Sequence, residues 1–243
     1  MTPTTLELRD MWGVDLDTPL TAVSAERLAK ATVSTLVASI PSGGQVRFVA
    51  RYVSLGPPVH GDLTLAETEA ILASGLALFA VQHCRASQGQ GWETSAARGA
   101  SDGHWAAQNA AGAGLVTGMG IAVALDLEDV AQSTWGQPTI DHCTEWCRQV
   151  ALGGFEAVCY VGFCSGLTPD QLYNLPTVRR YWSDYGPRSV STRGFCLKQH
   201  AQTMIAGLNV DTDYASPDNE GDCLIAMATA PDDGSLACPL LIS

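Results

Sequence analysis

Positive charge is scarce in this chain of 243 residues: 13 basic side chains stand against 25 acidic ones, a formal charge of −12. Such a surface repels phosphate backbones and anionic membranes and offers no basic stripe for nucleic acid. Long apolar runs are missing as well. No stretch of about 18 uninterrupted apolar residues marks a membrane span. The opening MTPTTLELRDMWG carries no basic segment ahead of an apolar core, as a secretory signal would. Location is left open by these absences: cytoplasmic, exported, or associated with a virion or cell wall by another route. The paired CxxC spacing of a structural zinc site does not occur among the eight cysteines, and no GxGxxG or GxxxxGK[ST] marks a nucleotide-binding turn. No cofactor is therefore expected.

What is present describes a folded chain: 46% of residues are hydrophobic and 16% charged, and the length suits one α/β domain. We expect a single domain over 1–243 with its core at about 12–230. Cys84, Cys159 and Cys196 lie in or beside apolar runs, where a thiol behaves as a small hydrophobe. Cys143 and Cys147 are one helical turn apart, but two ligands do not make a metal site. A Cys223–Cys238 bridge is open if the protein meets an oxidising compartment.

Apolar runs, polar turns and amphipathic stretches recur in order. The spacing predicts strands at 12–16, 45–53, 76–83, 120–128, 155–163, 178–185, 194–201 and 207–215. Helices are expected at 19–40, where Leu28, Val33, Leu36 and Val37 recur near helical spacing, and at 63–75, 102–115, 139–154 and 167–175. Thr64 and Glu67 have the spacing of a capping box, and Gly75 that of a helix stop. A Gly/Ser/Gln-rich loop follows His83, of a length that in a compact domain is usually functional. Eight strands at about 30 residues per unit predict a (β/α)8 TIM-like barrel, with irregular or missing helices in the last repeats. A doubly wound open sheet is the alternative.

Alternate strand residues face opposite sides. In IAVALDLE the small-then-acidic set Ala122, Ala124, Asp126 and Glu128 opposes Ile121, Val123, Leu125 and Leu127. In a barrel the branched set packs against helices and the acids emerge inward at the C-terminal mouth, where barrel enzymes place their chemistry. Asp15 and Asp17 share a face of the first strand, and Asn209, Asp211 and Asp213 share one of the last. Asp17 has the competing role of helix cap, Asp213 that of holding the chain beyond the strand, and Asp129 faces away. Near strand ends stand Arg51, Tyr52, Gln82, His83, Tyr160, Trp182, Gln199 and His200. Rings offer sugars an apolar face while acids and amides hold hydroxyls, so a neutral polyhydroxylated ligand is the expected partner. Clustered carboxylates could alternatively hold Mg²⁺ or Ca²⁺.

The ordered set WGVDLDTPLTA, RFVARYV, LTLAETEAILASGLALFAVQ, IAVALDLED, AVCYVGF and LNVDTDYA resembles the glycoside-hydrolase-like barrel domains catalogued as a domain of unknown function in actinobacteria, fungi and phages. These are distant relatives of the family-25 lysozymes, or muramidases. Gly13-Val14-Asp15 matches the G-[IV]-D of their first strand, Asp126-Leu127-Glu128 their D-x-E, and Val210-Asp211-Thr212-Asp213 their V-D-x-[ND]. The resemblance implies that Glu128 is the general acid, that Asp126 assists at the acetamido group or positions a water, and that Asp15 and Asp211 tune Glu128. The strand-end groups Arg51, Tyr52, Gln82, Tyr160, Trp182 and Gln199, with Asp213, are the expected substrate contacts, and the resemblance implies cell-wall glycan or an aminosugar oligomer as ligand. Residues two apart on a strand are about 6.6 Å apart, near the ~5–9.5 Å over which glycosidase carboxylates work. The reading that competes with hydrolysis is a non-catalytic carbohydrate-binding or virion/cell-surface protein. The long loop after His83 has no clear family-25 counterpart.

Overall fold

Alternation of small and branched side chains decides which way each central strand faces. In the computed structural model, which describes residues 2–34, 40–83, 85, 91–184 and 190–230, Ala122 and Ala124 pack with Phe48, Ala50, Phe79, Val158, Tyr160 and Trp182 in one inner cluster. Ile121, Val123, Leu125 and Leu127 join a separate outer layer with Ile71, Ala106 and Trp146.

The chain begins with β1 (Pro3–Leu8) and β2 (Met11–Leu16), then α1 (Ala22–Ala29), β3 (Thr32–Ser34), β4 (Gly43–Val53), α2 (Leu65–Ala73) and β5 (Ala77–Gln82). It continues through α3 (Ala96–Gly112), β6 (Ala122–Asp126), α4 (Gln137–Leu152), β7 (Glu156–Val161), α5 (Pro169–Tyr173) and β8 (Arg180–Ser183). It ends with β9 (Leu197–Ile205), β10 (Leu208–Ala215) and β11 (Leu224–Thr229). Eight strands close a ring in the order β2-β4-β5-β6-β7-β8-β9-β10 and back to β2. Closure removes the open doubly wound sheet from consideration. The result is a mixed α/β fold around a closed eight-stranded barrel. Helices α1 to α5 follow β2, β4, β5, β6 and β7; no helix is found after β8 or β9 among the described residues. No described helix is long and apolar enough to cross a membrane.

Several sequence expectations need correction. The helix expected over 19–40 ends at Ala29; Thr32 and Val33 are β-branched, and the chain turns there into β3, which pairs antiparallel with β4 and buries Val33. Leu36 and Val37 lie outside the described residues, as do Cys84 and Cys238. Thr21, not Asp17, caps α1, in a reciprocal capping box with Ser24. Thr64 caps α2, but the Glu67 side chain turns inward to Arg51 instead of completing a box. Helix α3 starts at Ala96 rather than 102, capped by Ser95. Strands β1 and β11 were not expected; they pair antiparallel with each other, and Leu8, Leu224 and Ala226 join the inner cluster. The largest departure is β10, which runs antiparallel to both β9 and β2 because a tight turn, not a helix, connects it to β9.

Helices α3 and α4 approach through glycines. A Cβ on Gly99 would stand 2.1 Å from the His142 carbonyl oxygen, and one on Gly103 2.4 Å from that of Trp146. Gly103→Ala is therefore expected to destabilise the protein in chemical denaturation. The helix-propensity gain of about 1 kcal/mol is opposed by overpacking against backbone that cannot yield, typically ~1–3 kcal/mol or more. A stabilised variant would mean that the helix pair separates freely.

Candidate active site

The inward faces of β2, β6 and β10 carry Asp15, Asp126 and Asp211 to one end of the barrel. With Glu128 and Tyr52 they line an open cleft of about 280 Å³, completed by Leu16, Asp17, His83, Gln202, Asn209 and Val210. Because β10 descends while β2 ascends, Asp211 sits opposite Asp15 at the mouth and Asp213 sits opposite Gly13, one layer deeper.

Asp15 is 1% exposed and heavily hydrogen-bonded. Tyr52 Oη donates to one carboxylate oxygen at 3.1 Å and Gln199 Nε2 to the other at 3.0 Å. Tyr160 Oη donates to Gln199 Oε1 at 2.8 Å and so fixes the amide. Below lies Asp213, fully buried, with Trp182 Nε1 donating to its Oδ1 at 2.9 Å. Its Oδ2 receives no donor from the protein. Burial is the main cause that lifts Asp15 to about 7, against the lowering effect of its Gln199 bond and with the further push of Asp211. Burial, and then the Asp15 charge, hold Asp213 well above the carboxylate range. Each carboxyl disfavours the ionisation of the other, so the buried pair takes on its second negative charge only at raised pH.

This pair makes stability depend on pH. Both acids titrate above their unfolded values, so the native state retains protons that the unfolded chain releases. Their contribution is whole below about pH 4 and is lost as pH rises through about 7, the value Asp15 reaches in the fold. Asp213→Asn keeps an acceptor for Trp182 and removes the second titrating carboxyl. Its melting temperature is expected to fall less than that of the wild type between pH 4 and 8. Parallel curves in thermal unfolding would show that Asp213 adds nothing to the pH dependence of stability.

Glu128 departs from the expected geometry. Strand β6 ends at Asp126, and Glu128 stands in the following turn, so strand rise does not set its distance from Asp126. Asp126 Oδ1 accepts the Glu128 N–H at 2.9 Å, an Asx-type turn in which one acid orients the backbone of the other. Half-burial, followed by the charges of Asp129 and Asp184, raises the Glu128 carboxyl above its ordinary value, opposed by a hydrogen bond from the Phe163 backbone. Burial, and then the Asp17 charge, also raises Asp211.

Other sequence-derived candidates sort by strand parity. Tyr160, Trp182, Gln199 and Asp213 lie within the barrel beneath the cleft and support Asp15. Arg51 and Gln82 are not in the cleft. They share the outward face with Val49, Val53, Leu78 and Ala80. Arg51 is completely buried, donating to Glu67 at 2.6 Å and to the carbonyls of Leu16 and Gly61. Gln82 bonds to Ser54 and Asp102 carbonyls and accepts from Trp146 Nε1. His200 packs at 5.6 Å from Trp12, whereas His83 stacks on Tyr52 at 4.6 Å and borders the cleft. Asp17, set aside as a helix cap, also lines it, as does Gln202, which sequence reasoning missed. Trp92 was missed too, although a lone tryptophan in a Gly/Ser/Gln-rich loop is itself a signal.

Among the described residues no group of three or more His, Cys, Asp or Glu side chains is arranged to hold a metal ion. Cys143 and Cys147 are buried free thiols on α4, and burial pushes Cys147 up to about 12.

Similarity to known proteins agrees with this architecture. An uncharacterized B. stearothermophilus protein superposes with a TM-score of 0.61 at 16% identity, over 85% of this chain and 96% of that one. The Mycobacterium tuberculosis Tat-secreted protein Rv2525c, solved in complex with L-tartrate, gives 0.58 at 13% identity, over 84% and 94%. A family 25 glycosyl hydrolase from Bacillus anthracis gives 0.51 at 12% identity, over 87% and 91%. At these identities the likeness is one of fold. No curated protein matches the sequence. The family described as the Rv2525c-like, glycoside hydrolase-like domain matches residues 42–215, a span that omits β2 and Asp15. The barrel, its cleft and that match agree: the chain belongs to the Rv2525c-like, glycoside hydrolase-like domain family.

Proposed function

We propose that the protein is a glycoside hydrolase that cleaves bacterial cell-wall glycan or a related aminosugar polymer by carboxylate acid catalysis. The observation that carries this reading is the grouping of Asp126 and Glu128 with Asp15 and Asp211 around one open polar cleft. A raised carboxyl such as Glu128 remains protonated at a pH where ordinary acids have ionised, which is what protonation of a glycosidic oxygen requires. In this mechanism Glu128 gives its proton to the leaving oxygen as the bond to the anomeric carbon breaks. A water, directly or after the substrate's acetamido oxygen has bonded to that carbon, forms the new C–O bond and yields its proton to a carboxylate of the cleft. Asp126 faces the developing positive charge and steadies the acetamido group or a water. Asp129, Asp184 and, more weakly, Asp211 supply surrounding negative charge that favours the protonated acid, while Asp15 holds the Tyr52 and Gln199 side of the cleft. Tyr52 and His83, stacked at the rim, and Phe163, 60% exposed just beyond β7, offer ring faces to sugar.

The test is digestion of purified peptidoglycan and of N-acetylglucosamine oligomers, with new reducing ends and fragment masses as readout. Time-dependent cleavage of at least one glycan is the expected result. Saturable binding with no turnover on any of them would replace this reading with that of a carbohydrate-binding barrel.

A further inference from the structure

The loop between β5 and α3 touches the acid-bearing turn through Trp92. Its Nε1 donates to the Glu128 carbonyl at 2.6 Å, its backbone N–H donates to the Asp129 carbonyl at 3.1 Å, and its own carbonyl accepts from Ala131 at 2.9 Å. Trp92 and Val130 thereby form a parallel bridge. On the opposite side, Asp129 N–H donates to the Phe163 carbonyl at 2.7 Å and Val130 N–H to that of Cys164 at 2.9 Å. The turn is gripped from both flanks, and it needs to be. Asp129 has φ 54°, a left-handed conformation that costs a residue with a Cβ about 1–2 kcal/mol and persists only when its surroundings fix it. Trp92 is itself anchored: it is 7% exposed and meets His142 edge-on at 5.2 Å.

We propose that Trp92 is a positioning residue for the reaction, holding the Glu128 backbone so that its carboxyl is presented to the cleft in one orientation. The contact falls on the carbonyl of Glu128 itself, so it fixes the Cα–Cβ direction of the acid without occupying its carboxyl. The inference rests on the hydrolase reading for its kinetic consequence, but the geometry it asserts can be measured without turnover.

The deciding experiment is carboxyl NMR on protein labelled at glutamate side chains, with the Glu128 resonance assigned by its disappearance in Glu128→Gln. Trp92→Phe keeps the ring and deletes the donor. The Glu128 titration midpoint is expected to move down towards the ordinary glutamate value as the turn relaxes into water. On any glycan that the wild type cleaves, kcat should fall about tenfold or more with KM changed less than about twofold, since positioning acts on the bound state. Gly91→Ala provides a second variant, because a Cβ there would stand 2.8 Å from Ala131 Cα and press the loop off the turn with the indole intact. It should shift the midpoint in the same direction. An unchanged Glu128 midpoint in folded Trp92→Phe or Gly91→Ala protein would overturn the proposal. Failure of the wild type to cleave any glycan would instead overturn the hydrolase reading, with the titration still deciding the role of Trp92.

Discussion

Glu128→Gln is expected to lower kcat for glycan cleavage by about 10²–10⁴-fold, the usual contribution of a positioned general acid, with little change in KM. The amide keeps the shape of the side chain and its acceptor oxygen but has no proton of the required acidity. Folding raises the Glu128 carboxyl because half-burial disfavours its charge. Wild-type stability is therefore reduced by Glu128 as pH rises past the unfolded value, and the neutral amide of the variant carries no such penalty. Thermal unfolding of the variant at pH 7 should show a melting temperature equal to or higher than that of the wild type. The same shift places the alkaline limb of the wild-type pH–rate profile above the ordinary glutamate range. Comparable rates for Glu128→Gln and wild type would remove Glu128 from the mechanism.

Arg51→Met should have the largest effect on stability. Arg51 and Glu67 are buried together, the guanidinium Nε 2.6 Å from Glu67 Oε1, which also accepts the Leu20 N–H at 2.7 Å. Removing the cation leaves a carboxylate enclosed without a counter-charge, a loss of about 3–5 kcal/mol. In a chain of this size that corresponds to a fall in melting temperature of roughly 6–20 °C. The carbonyls of Leu16 and Gly61 lose their donors as well. Leu16 adjoins Asp15, so the cleft should suffer before the barrel unfolds. Arg51→Met combined with Glu67→Leu should recover part of the loss, because a pair of apolar side chains no longer confines a lone charge. A single-variant loss below about 1 kcal/mol, the level typical of an exposed ion pair, would show that water reaches Glu67.

The barrel strands and the inward acids were legible because period-two patterning fixes parity. Ala122 and Ala124 oppose Val123 and Leu125 so clearly that Asp126 could face only the axis. The same rule, applied to β4 and β5, would have placed Arg51 with Val49 and Val53, and Gln82 with Leu78 and Ala80, beneath helices; proximity to a strand end was the weaker guide. Strand direction is another matter. Nothing in LNVDTDYA distinguishes a parallel from an antiparallel neighbour, and only the tight connection from β9 makes β10 descend, which buries Asp213 beneath Asp15. Glu128 shows a third limit. Its place depends on where β6 stops, and that is set by contacts from Trp92 and from residues 163 and 164, distant in sequence.

The descending strand also determines when the cleft can exist during folding. Strands β4 to β8 can add in sequence, each beside its predecessor, but β10 must lie against β2, the first strand of the ring. Asp15 and Gln199, hydrogen-bonded across this region, are 184 residues apart. Loop-closure entropy makes such a contact a late event, so the β2–β10 junction is the seam along which the barrel is sealed. Opening that seam would separate Asp15 from Gln199, Asp211 and Asp213 while leaving most of the parallel strands paired. Amide exchange along β10 should therefore report the integrity of the cleft more directly than exchange along β5 or β6.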